Sequence, residues 1–123
     1  MTPKEKDLLL RDLCARLPYG LKVKCEKYSF PVTILYGGNI DEVKFIETGG
    51  IENICAIKPY LFPLSSMTEE QSKVYHELIR GMFGTSALIN FEVLTDFFNS
   101  NHLDYRSLIK RGLAIDATGL NIY

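Results

Sequence analysis

The sequence has 123 residues and a formal net charge of −1, with 46% hydrophobic and 24% charged residues. These values are ordinary for one globular domain spanning residues 1–123, and they exclude a chain that is disordered throughout. The near-neutral charge excludes a strongly basic nucleic-acid-binding protein, and no apolar run reaches the length that spans a bilayer.

The first predicted element is a helix that begins at Pro3. Thr2 is an N-cap residue and Glu5 follows three positions later, which is the pattern of a capping box. Pro suits the first helical position because its missing N–H would have no partner there. The helix should end at Leu17, because the residue before Pro18 disfavours helical geometry.

The two faces of this helix follow from residue spacing at 3.6 residues per turn. Asp7–Arg11 and Asp12–Arg16 have the i,i+4 spacing of ion pairs, and we expect both pairs on the solvent-exposed side. The predicted buried face consists of Leu9, Leu10, Leu13, Cys14 and Leu17.

Four short strands are predicted next, over residues 21–26, 32–36, 43–46 and 54–57. The first alternates apolar and charged residues, and the others are rich in β-branched or aromatic residues. Glycine-rich turns separate them, including a turn at 37–39. We therefore expect a four- to five-stranded antiparallel meander, either as an open sheet or curled into a small open barrel.

The second half of the chain is predicted to be mainly helical. Residues 58–64 contain two prolines and are predicted to form an extended connector across the sheet. Thr68 and Gln71 form a second capping box before an amphipathic helix that stops near Gly84. A further helix is predicted over 88–99, and Asp104 is predicted to cap a short last helix. The fold class is thus α+β, with one helix, the sheet, and three helices packed on it.

Two stretches in this half, and the first six residues, resemble a known group of proteins. Residues 58–71 read KPYLFPLSSMTEEQ, residues 102–114 read HLDYRSLIKRGLA, and the chain opens with MTPKEK. Together they resemble small uncharacterised proteins encoded in gut Bacteroides genomes, often near phage or mobile elements. The resemblance implies a bacterial, cytoplasmic setting, and it implies no activity, cofactor or catalytic residue.

The cysteines point to the same compartment. Cys14, Cys25 and Cys55 are odd in number, and their spacing matches no metal or redox motif. We expect three reduced, mostly buried thiols in a reducing compartment, with no metal site and no cofactor. The first residues lack the apolar run and cleavage site of a signal peptide, so we expect a cytoplasmic protein.

His102 and Asp104 are the weak candidates for catalysis. A histidine beside a carboxylate can act as a general base. The same residues are also explained if Asp104 caps a helix and His102 fills a polar joint, and the sequence favours that simpler explanation. An enzyme that uses this pair is therefore an alternative and not the main hypothesis.

A nucleic-acid interface is the other alternative. Lys22, Lys24 and Lys27 lie on or near the outer face of the first predicted strand, with Tyr28 beside them. Basic residues with aromatic neighbours on a small sheet bind single strands in some proteins. The sequence favours an ordinary charged strand face as the explanation, and the slightly acidic chain makes nucleic acid an unfavoured partner.

The main hypothesis is a non-enzymatic accessory or adaptor protein that works through protein–protein contacts. Tyr60, Leu61 and Phe62 run consecutively in the predicted connector. An extended segment points successive side chains in opposite directions, so the sheet cannot easily cover all three. Packing against the sheet is the more common fate of such residues and remains the alternative. Under the main hypothesis, we expect at least one of Tyr60 and Phe62 to be exposed to an unknown protein partner or covered by a second copy of the chain.

Overall fold

The computed structural model describes residues 1–37, 42–81 and 87–123 and has an α+β fold. Its elements, in chain order, are α1 (Pro3–Arg16), β1 (Lys22–Cys25), β2 (Val32–Gly37), β3 (Glu42–Phe45), β4 (Ile51–Asn53), β5 (Ile57–Pro63), α2 (Glu69–Gly81), α3 (Ala87–Ser100), β6 (Leu103–Asp104) and β7 (Ile115–Asp116). Single 3-10 turns lie at Leu17–Tyr19, Ile54–Ala56 and Leu64–Ser66.

Both predicted capping boxes are present. The Glu5 N–H donates to Thr2 Oγ1 over 3.1 Å, and the Thr2 N–H donates to Glu5 Oε1 over 3.1 Å. The same reciprocal bonds join Thr68 and Gln71, at 3.1 and 3.0 Å. These bonds satisfy N–H groups that a helix start leaves without partners. The predicted stop at Gly84 and most of the turn at 37–39 lie outside the described residues.

The strands form one mixed sheet in the order β4-β3-β2-β1-β5-β6, and β7 also pairs with β5. The pairs β1–β2, β2–β3, β3–β4 and β1–β5 are antiparallel, whereas β6 and β7 pair with β5 in parallel. The predicted meander is therefore confirmed for β1 to β3, and β4 continues it at Ile51–Asn53 rather than at the predicted 54–57. The prediction of a purely antiparallel sheet is wrong, and the described sheet is open, without the closure of a barrel.

The predicted connector over 58–64 is instead the strand β5, inside the sheet. Its prolines are compatible with this position. The Ile34 N–H donates to the Leu21 carbonyl, so the backbone groups of Leu21 and Val23 face β2. Val23 is paired with Pro59. Because the backbone groups of Val23 face β2, this pair has no hydrogen bond that would need an N–H from the proline. The strand predicted at 54–57 is wrong, because a 3-10 turn at Ile54–Ala56 separates β4 from β5.

Two helices, not three, follow the sheet in the described part of the chain. The short helix predicted from Asp104 is a set of turns over residues 105–112. Ser107 has φ 58°, a left-handed conformation that a right-handed helix cannot contain. Asp104 nevertheless accepts backbone hydrogen bonds, from Leu108 N–H at 2.8 Å and Ile109 N–H at 2.9 Å. The predicted capping function of Asp104 is thus present without the helix.

One hydrophobic core lies between α1 and the inner face of the sheet. Alternate residues of β1, β2 and β3 point into it, and this alternation was predicted for β1. The core residues of α1 and these three strands are Leu9, Leu13, Val23, Cys25, Val32, Ile34, Val43 and Phe45, and Leu21, Ile54, Ile57, Leu61 and Leu108 pack with them. Helix α2 packs against α3, and α3 contacts α1 and β6. None of the described helices is long and apolar enough to cross a membrane.

The buried face of α1 is rotated relative to the predicted face. Asp12 and Arg16 are fully buried, whereas Cys14 is exposed and Leu10 is only partly covered. Cys55 is also exposed, so the expectation of mostly buried thiols is wrong and only Cys25 is buried. The rotation occurs because a second cluster, of polar residues, covers one side of α1.

Candidate functional site

Two polar residues of α1 and two residues from the turns after α3 form a cluster around one buried carboxylate. We call Asp12, Arg16, Tyr105 and Arg106 the arginine cluster. Arg16 Nε donates to Asp12 Oδ2 over 2.9 Å, and Arg16 Nη2 donates to Asp12 Oδ1 over 3.1 Å. Arg106 Nη1 donates to the same Oδ1 over 3.1 Å. This bidentate geometry, shared with a second arginine, is the strongest form that an arginine–carboxylate contact takes.

Further contacts join the arginine cluster to the chain around residue 103. Arg16 Nη2 donates to the carbonyl of Leu103 over 2.6 Å. Both guanidinium groups lie near the ring of Tyr105, at 5.4 Å from its centroid for Arg16 and 4.8 Å for Arg106. These are cation–π distances. The cluster therefore ties the first helix to the turns that follow α3.

His102 lies beside this cluster in a left-handed backbone conformation, with φ 57°. Its side chain is buried, and its ring stacks on Tyr123 with 3.7 Å between ring centroids and 11° between planes. Burial, together with the positive charge of Arg16, lowers the pKa of His102 to about 4. The imidazole is therefore neutral at pH 7.

The two candidate catalytic residues do not act on each other. Both oxygens of Asp104 accept backbone N–H groups of Leu108 and Ile109. His102 Nδ1 has no hydrogen-bond partner within the described ranges. Tyr123 covers the imidazole, and its lowered pKa makes it a weak base. Because backbone N–H groups occupy Asp104, the two side chains are not arranged as a base and its orienting carboxylate. This geometry favours the structural explanation of the pair.

Tyr123 connects His102 to the sheet through its hydroxyl. The hydroxyl accepts from the Lys22 N–H at 3.0 Å and donates to the Tyr60 carbonyl at 2.8 Å. Val23 pairs with Pro59, so Lys22 and Tyr60 would be the next partners of the β1–β5 ladder. The Tyr123 hydroxyl therefore lies between the backbone groups of Lys22 and Tyr60 and replaces their direct hydrogen bond. Burial raises the pKa of Tyr123, and the phenol stays protonated.

The residues predicted to bind a protein partner are distributed along β5. Leu61 is fully buried in the core and is not available to a partner. Tyr60 and Phe62 are half-buried, and Phe62 also packs near Tyr123, with 5.9 Å between ring centroids. A binding role for Tyr60 and Phe62 stays a prediction. β5 is an interior strand, with neighbours in β1, β6 and β7, and not an accessible connector.

The basic residues predicted for nucleic acid do not form a continuous surface. Lys22 is partly covered, and Lys27 forms an ion pair with Glu52 at 3.4 Å between Nζ and Oε1. Lys24 is exposed and faces Lys58 across the β1–β5 pair. This arrangement lacks the basic stripe that single-strand binding uses.

An apolar surface lies at the β4 end of the sheet, on β2, β4 and the residue that follows β3. Three aliphatic side chains there, Leu35, Ile46 and Ile51, are 48%, 57% and 56% exposed. We call them the outer apolar patch. Val32, Ile34, Val43 and Phe45 point to the core from these strands, so the patch residues lie on the opposite face. Ile51 pairs with Lys44, and Leu35 sits at a register shift between β2 and β3.

The patch adjoins an open sheet edge. In the described part of the chain, β4 has a strand neighbour on one side only, β3. The Phe45 N–H donates to the Gly50 carbonyl. Hydrogen-bonded pairs alternate along an antiparallel ladder, so the next hydrogen-bonded pair is Val43 and Glu52, and the pair between them, Lys44 and Ile51, is not hydrogen-bonded. The N–H and C=O of Ile51 therefore point to the open edge. The sequence alone could not identify this site, because the order of the strands decides which strand lies at the edge of the sheet.

Comparisons with known proteins add no relative: the chain matches no protein-family model, no curated protein and no solved structure. The similarity of residues 58–71 and 102–114 to small Bacteroides proteins therefore stays a prediction. No group of three or more histidine, cysteine or acidic side chains within the described residues is arranged to hold a metal ion.

Proposed function

We propose that this protein works as a non-enzymatic accessory protein that binds another protein at the β4 edge and the outer apolar patch. The observation that carries the proposal is the exposure of Leu35, Ile46 and Ile51 beside an open strand edge. An edge strand offers unpaired backbone groups, and apolar neighbours add affinity when a partner covers them. Proteins that bind by strand addition combine these two features.

The occupant we propose is an extended segment of a partner protein. Ile51 would supply its N–H and C=O to the added strand, and its side chain would contact the opposed residue on the same face of the sheet. A second copy of this chain is the alternative occupant. β4 has only three residues, so either occupant would share a very short ladder and would need the outer apolar patch for further contact.

We propose a bacterial cytoplasm as the setting, as the sequence resemblance implies. Cys14 and Cys55 are free and exposed, and exposed thiols persist in reducing compartments. This part of the proposal is independent of the β4 edge, and proteins oxidised at these positions in the native cell would contradict it.

Site-specific photo-cross-linking tests the proposal. A photoreactive amino acid replaces Ile51, and matched proteins carry it at Lys73 or Phe91, two exposed positions on α2 and α3. Each is expressed in the native cell, and cross-linked partners are identified by mass spectrometry. We expect one protein to be captured from position 51 and not from position 73.

Binding of that purified partner is then measured for single variants. Ile51→Asp places a charge in the interface, and we expect binding to weaken at least tenfold while stability changes little, since the residue is exposed. Lys73→Asp should bind as the unmodified protein does. Capture from position 91 instead, or equal binding by Ile51→Asp, would contradict the proposal. Cross-links from position 51 to a second copy of this chain would show that the edge mediates self-association and would contradict the proposed partner protein.

A further inference from the structure

A cavity of about 450 Å³ lies beside β1 and the start of β5, and none of its lining residues belongs to the outer apolar patch. It is bounded by β1, the 3-10 turn Ile54–Ala56, the start of β5, and β7. Its polar lining is Lys24, Glu26, Cys55 and Lys58, and its apolar lining includes Ala56 and Ile115. A volume of several hundred Å³ with a few converging polar groups is typical of small-molecule sites.

Two lysines face each other in this cavity. Lys24 and Lys58 are direct partners in the antiparallel pair of β1 and β5. Directly opposed residues place their Cβ atoms roughly 5 Å apart, and two like charges at that spacing destabilise the pair. Neither lysine forms an ion pair within the described part of the chain, whereas the nearby Lys27 is paired with Glu52. The two ammonium groups thus share a region that a bound anion would stabilise.

We propose that this cavity binds a small organic phosphate. The phosphate group lies between Lys24 and Lys58, and the organic part lies against Ala56 and Ile115. A phosphate monoester carries a charge of roughly −1.5 to −2 at pH 7, which matches two ammonium groups. Lysine binds phosphate as a compact point charge that does not require a fixed geometry.

The cavity favours a small ligand over a nucleic-acid strand. Glu26 lies in the lining and would repel the successive phosphates of a polyanion, while it can accept a hydrogen bond from a ligand hydroxyl. The whole chain carries a net charge of −1, which gives no overall attraction for a polyanionic strand. The cavity lining contains no residue of the outer apolar patch. The phosphate proposal can therefore be tested independently of the proposed protein partner.

The exposed cysteines provide an internal reporter. Cys55 lines the cavity, whereas Cys14 lies on α1, and both are exposed and free. Cys14→Ser and Cys55→Ser proteins each retain one exposed thiol. The reaction rate of each thiol is measured with dithiobis(nitrobenzoate), a dianion, and with dithiodipyridine, a neutral disulfide. The ratio of the two rates reports the local attraction for anions and cancels the intrinsic reactivity of the thiol.

We expect the anionic-to-neutral rate ratio to be roughly fivefold higher at Cys55 than at Cys14 at low ionic strength, and to fall with added salt. Lys24→Gln and Lys58→Gln should each remove most of this difference. Lys73→Gln, which neutralises an exposed lysine on α2, should leave it unchanged. Equal ratios at the two thiols, or ratios unaffected by Lys58→Gln, would overturn the proposal.

Ligand binding is then tested with glycerol phosphate, inorganic phosphate and a short single-stranded oligonucleotide. We expect glycerol phosphate to protect Cys55 from dithiodipyridine in a saturable way, and to leave Cys14 unprotected. Inorganic phosphate should protect more weakly, because it has no organic part to contact Ala56 and Ile115. Absence of protection by glycerol phosphate, or stronger protection by the oligonucleotide, would overturn the proposal of a small organic phosphate.

Discussion

Helix α1 carries two ion pairs with the same residue types and the same spacing, in opposite environments. Asp7 and Arg11 lie 3.2 Å apart, with 61% and 73% of their side chains exposed. Asp12 and Arg16 lie 2.9 Å apart and are fully buried. The exposed pair is a local feature of the helix. The buried pair depends on Arg106 and the carbonyl of Leu103, which come from the other end of the chain.

The difference shows what i,i+4 spacing determines and what it leaves undetermined. It places two side chains within reach on a helix, and both pairs form. It does not determine whether water or protein surrounds them. Exposed pairs contribute little, whereas removing one partner of a buried pair leaves a charge without compensation. The two pairs should therefore respond very differently to the same substitution.

The largest expected effect is that of Asp12→Ala. The substitution leaves Arg16 buried without its carboxylate and removes the acceptor of Arg106. We expect the free energy of unfolding to fall by about 3–5 kcal/mol. Urea denaturation measures this loss, and Asp12→Asn, which keeps the shape and one acceptor oxygen, provides a milder variant if the alanine variant does not fold.

A double-mutant cycle separates the pair itself from the general effect of truncation. Asp12 and Arg16 are replaced by Ala singly and together, and the same is done for Asp7 and Arg11. We expect a coupling energy near the upper end of the roughly 0.5–3 kcal/mol range for the buried pair, and below about 0.5 kcal/mol for the exposed pair. Equal coupling energies would remove the distinction between the two pairs.

The second expected effect is a pH dependence that originates at His102. Its pKa is about 4 in the folded protein and 6.5 in an unperturbed histidine, so the unfolded chain binds the proton first as the pH falls. The stabilisation is fully present above pH 6.5 and is lost between about pH 6.5 and 4. A shift of this size corresponds to about 3 kcal/mol.

The measurement compares unfolding free energies across this pH range in the unmodified protein and in His102→Asn. Asn tolerates the left-handed backbone of this position and does not titrate. We expect the variant to lose most of the slope. His76→Gln, which replaces an exposed histidine on α2, should keep it. An unchanged slope in His102→Asn would assign the pH dependence to carboxylates.

The same contrast between local and distant partners explains how much of the fold could be predicted. The capping boxes at Thr2 and Thr68 are complete within four residues, and both were predicted. The core-facing alternation of β1 is also local. The burial of Asp12 and Arg16 was not predicted, because their partner Arg106 is 94 positions from Asp12.

The other errors have the same physical origin. Pro59 argues against a strand unless its partner residue is known, and that partner, Val23, needs no N–H from it. Residues 105–112 have the composition of a helix, but Ser107 adopts φ 58° while Asp104 binds the N–H groups of Leu108 and Ile109. At the candidate site, the sequence placed His102 beside Asp104 and could not show that Tyr123 covers the imidazole.

A third, smaller effect is expected at Tyr123, whose ring covers His102. Tyr123→Phe keeps the ring and removes the hydroxyl that joins the Lys22 N–H to the Tyr60 carbonyl. We expect a loss of about 1 kcal/mol in unfolding free energy, since two backbone groups lose a partner at a site that water can partly reach. Tyr19→Phe, with a half-buried hydroxyl elsewhere, serves as the matched control. A loss of several kcal/mol would mean that this hydroxyl is as essential as the arginine cluster.

The smallest expected effect is that of Asp7→Ala, which completes the comparison. Both members of this pair are exposed, so water replaces the lost contact and salt screens what remains. The substitution also places Ala, the best helix former, in the middle of α1, which offsets part of the loss. We expect the free energy of unfolding to change by no more than about 0.5 kcal/mol in urea denaturation, and the change to shrink further in 1 M salt. A loss approaching that of Asp12→Ala would mean that burial does not decide the difference between the two pairs, because the chemistry and spacing are the same in both.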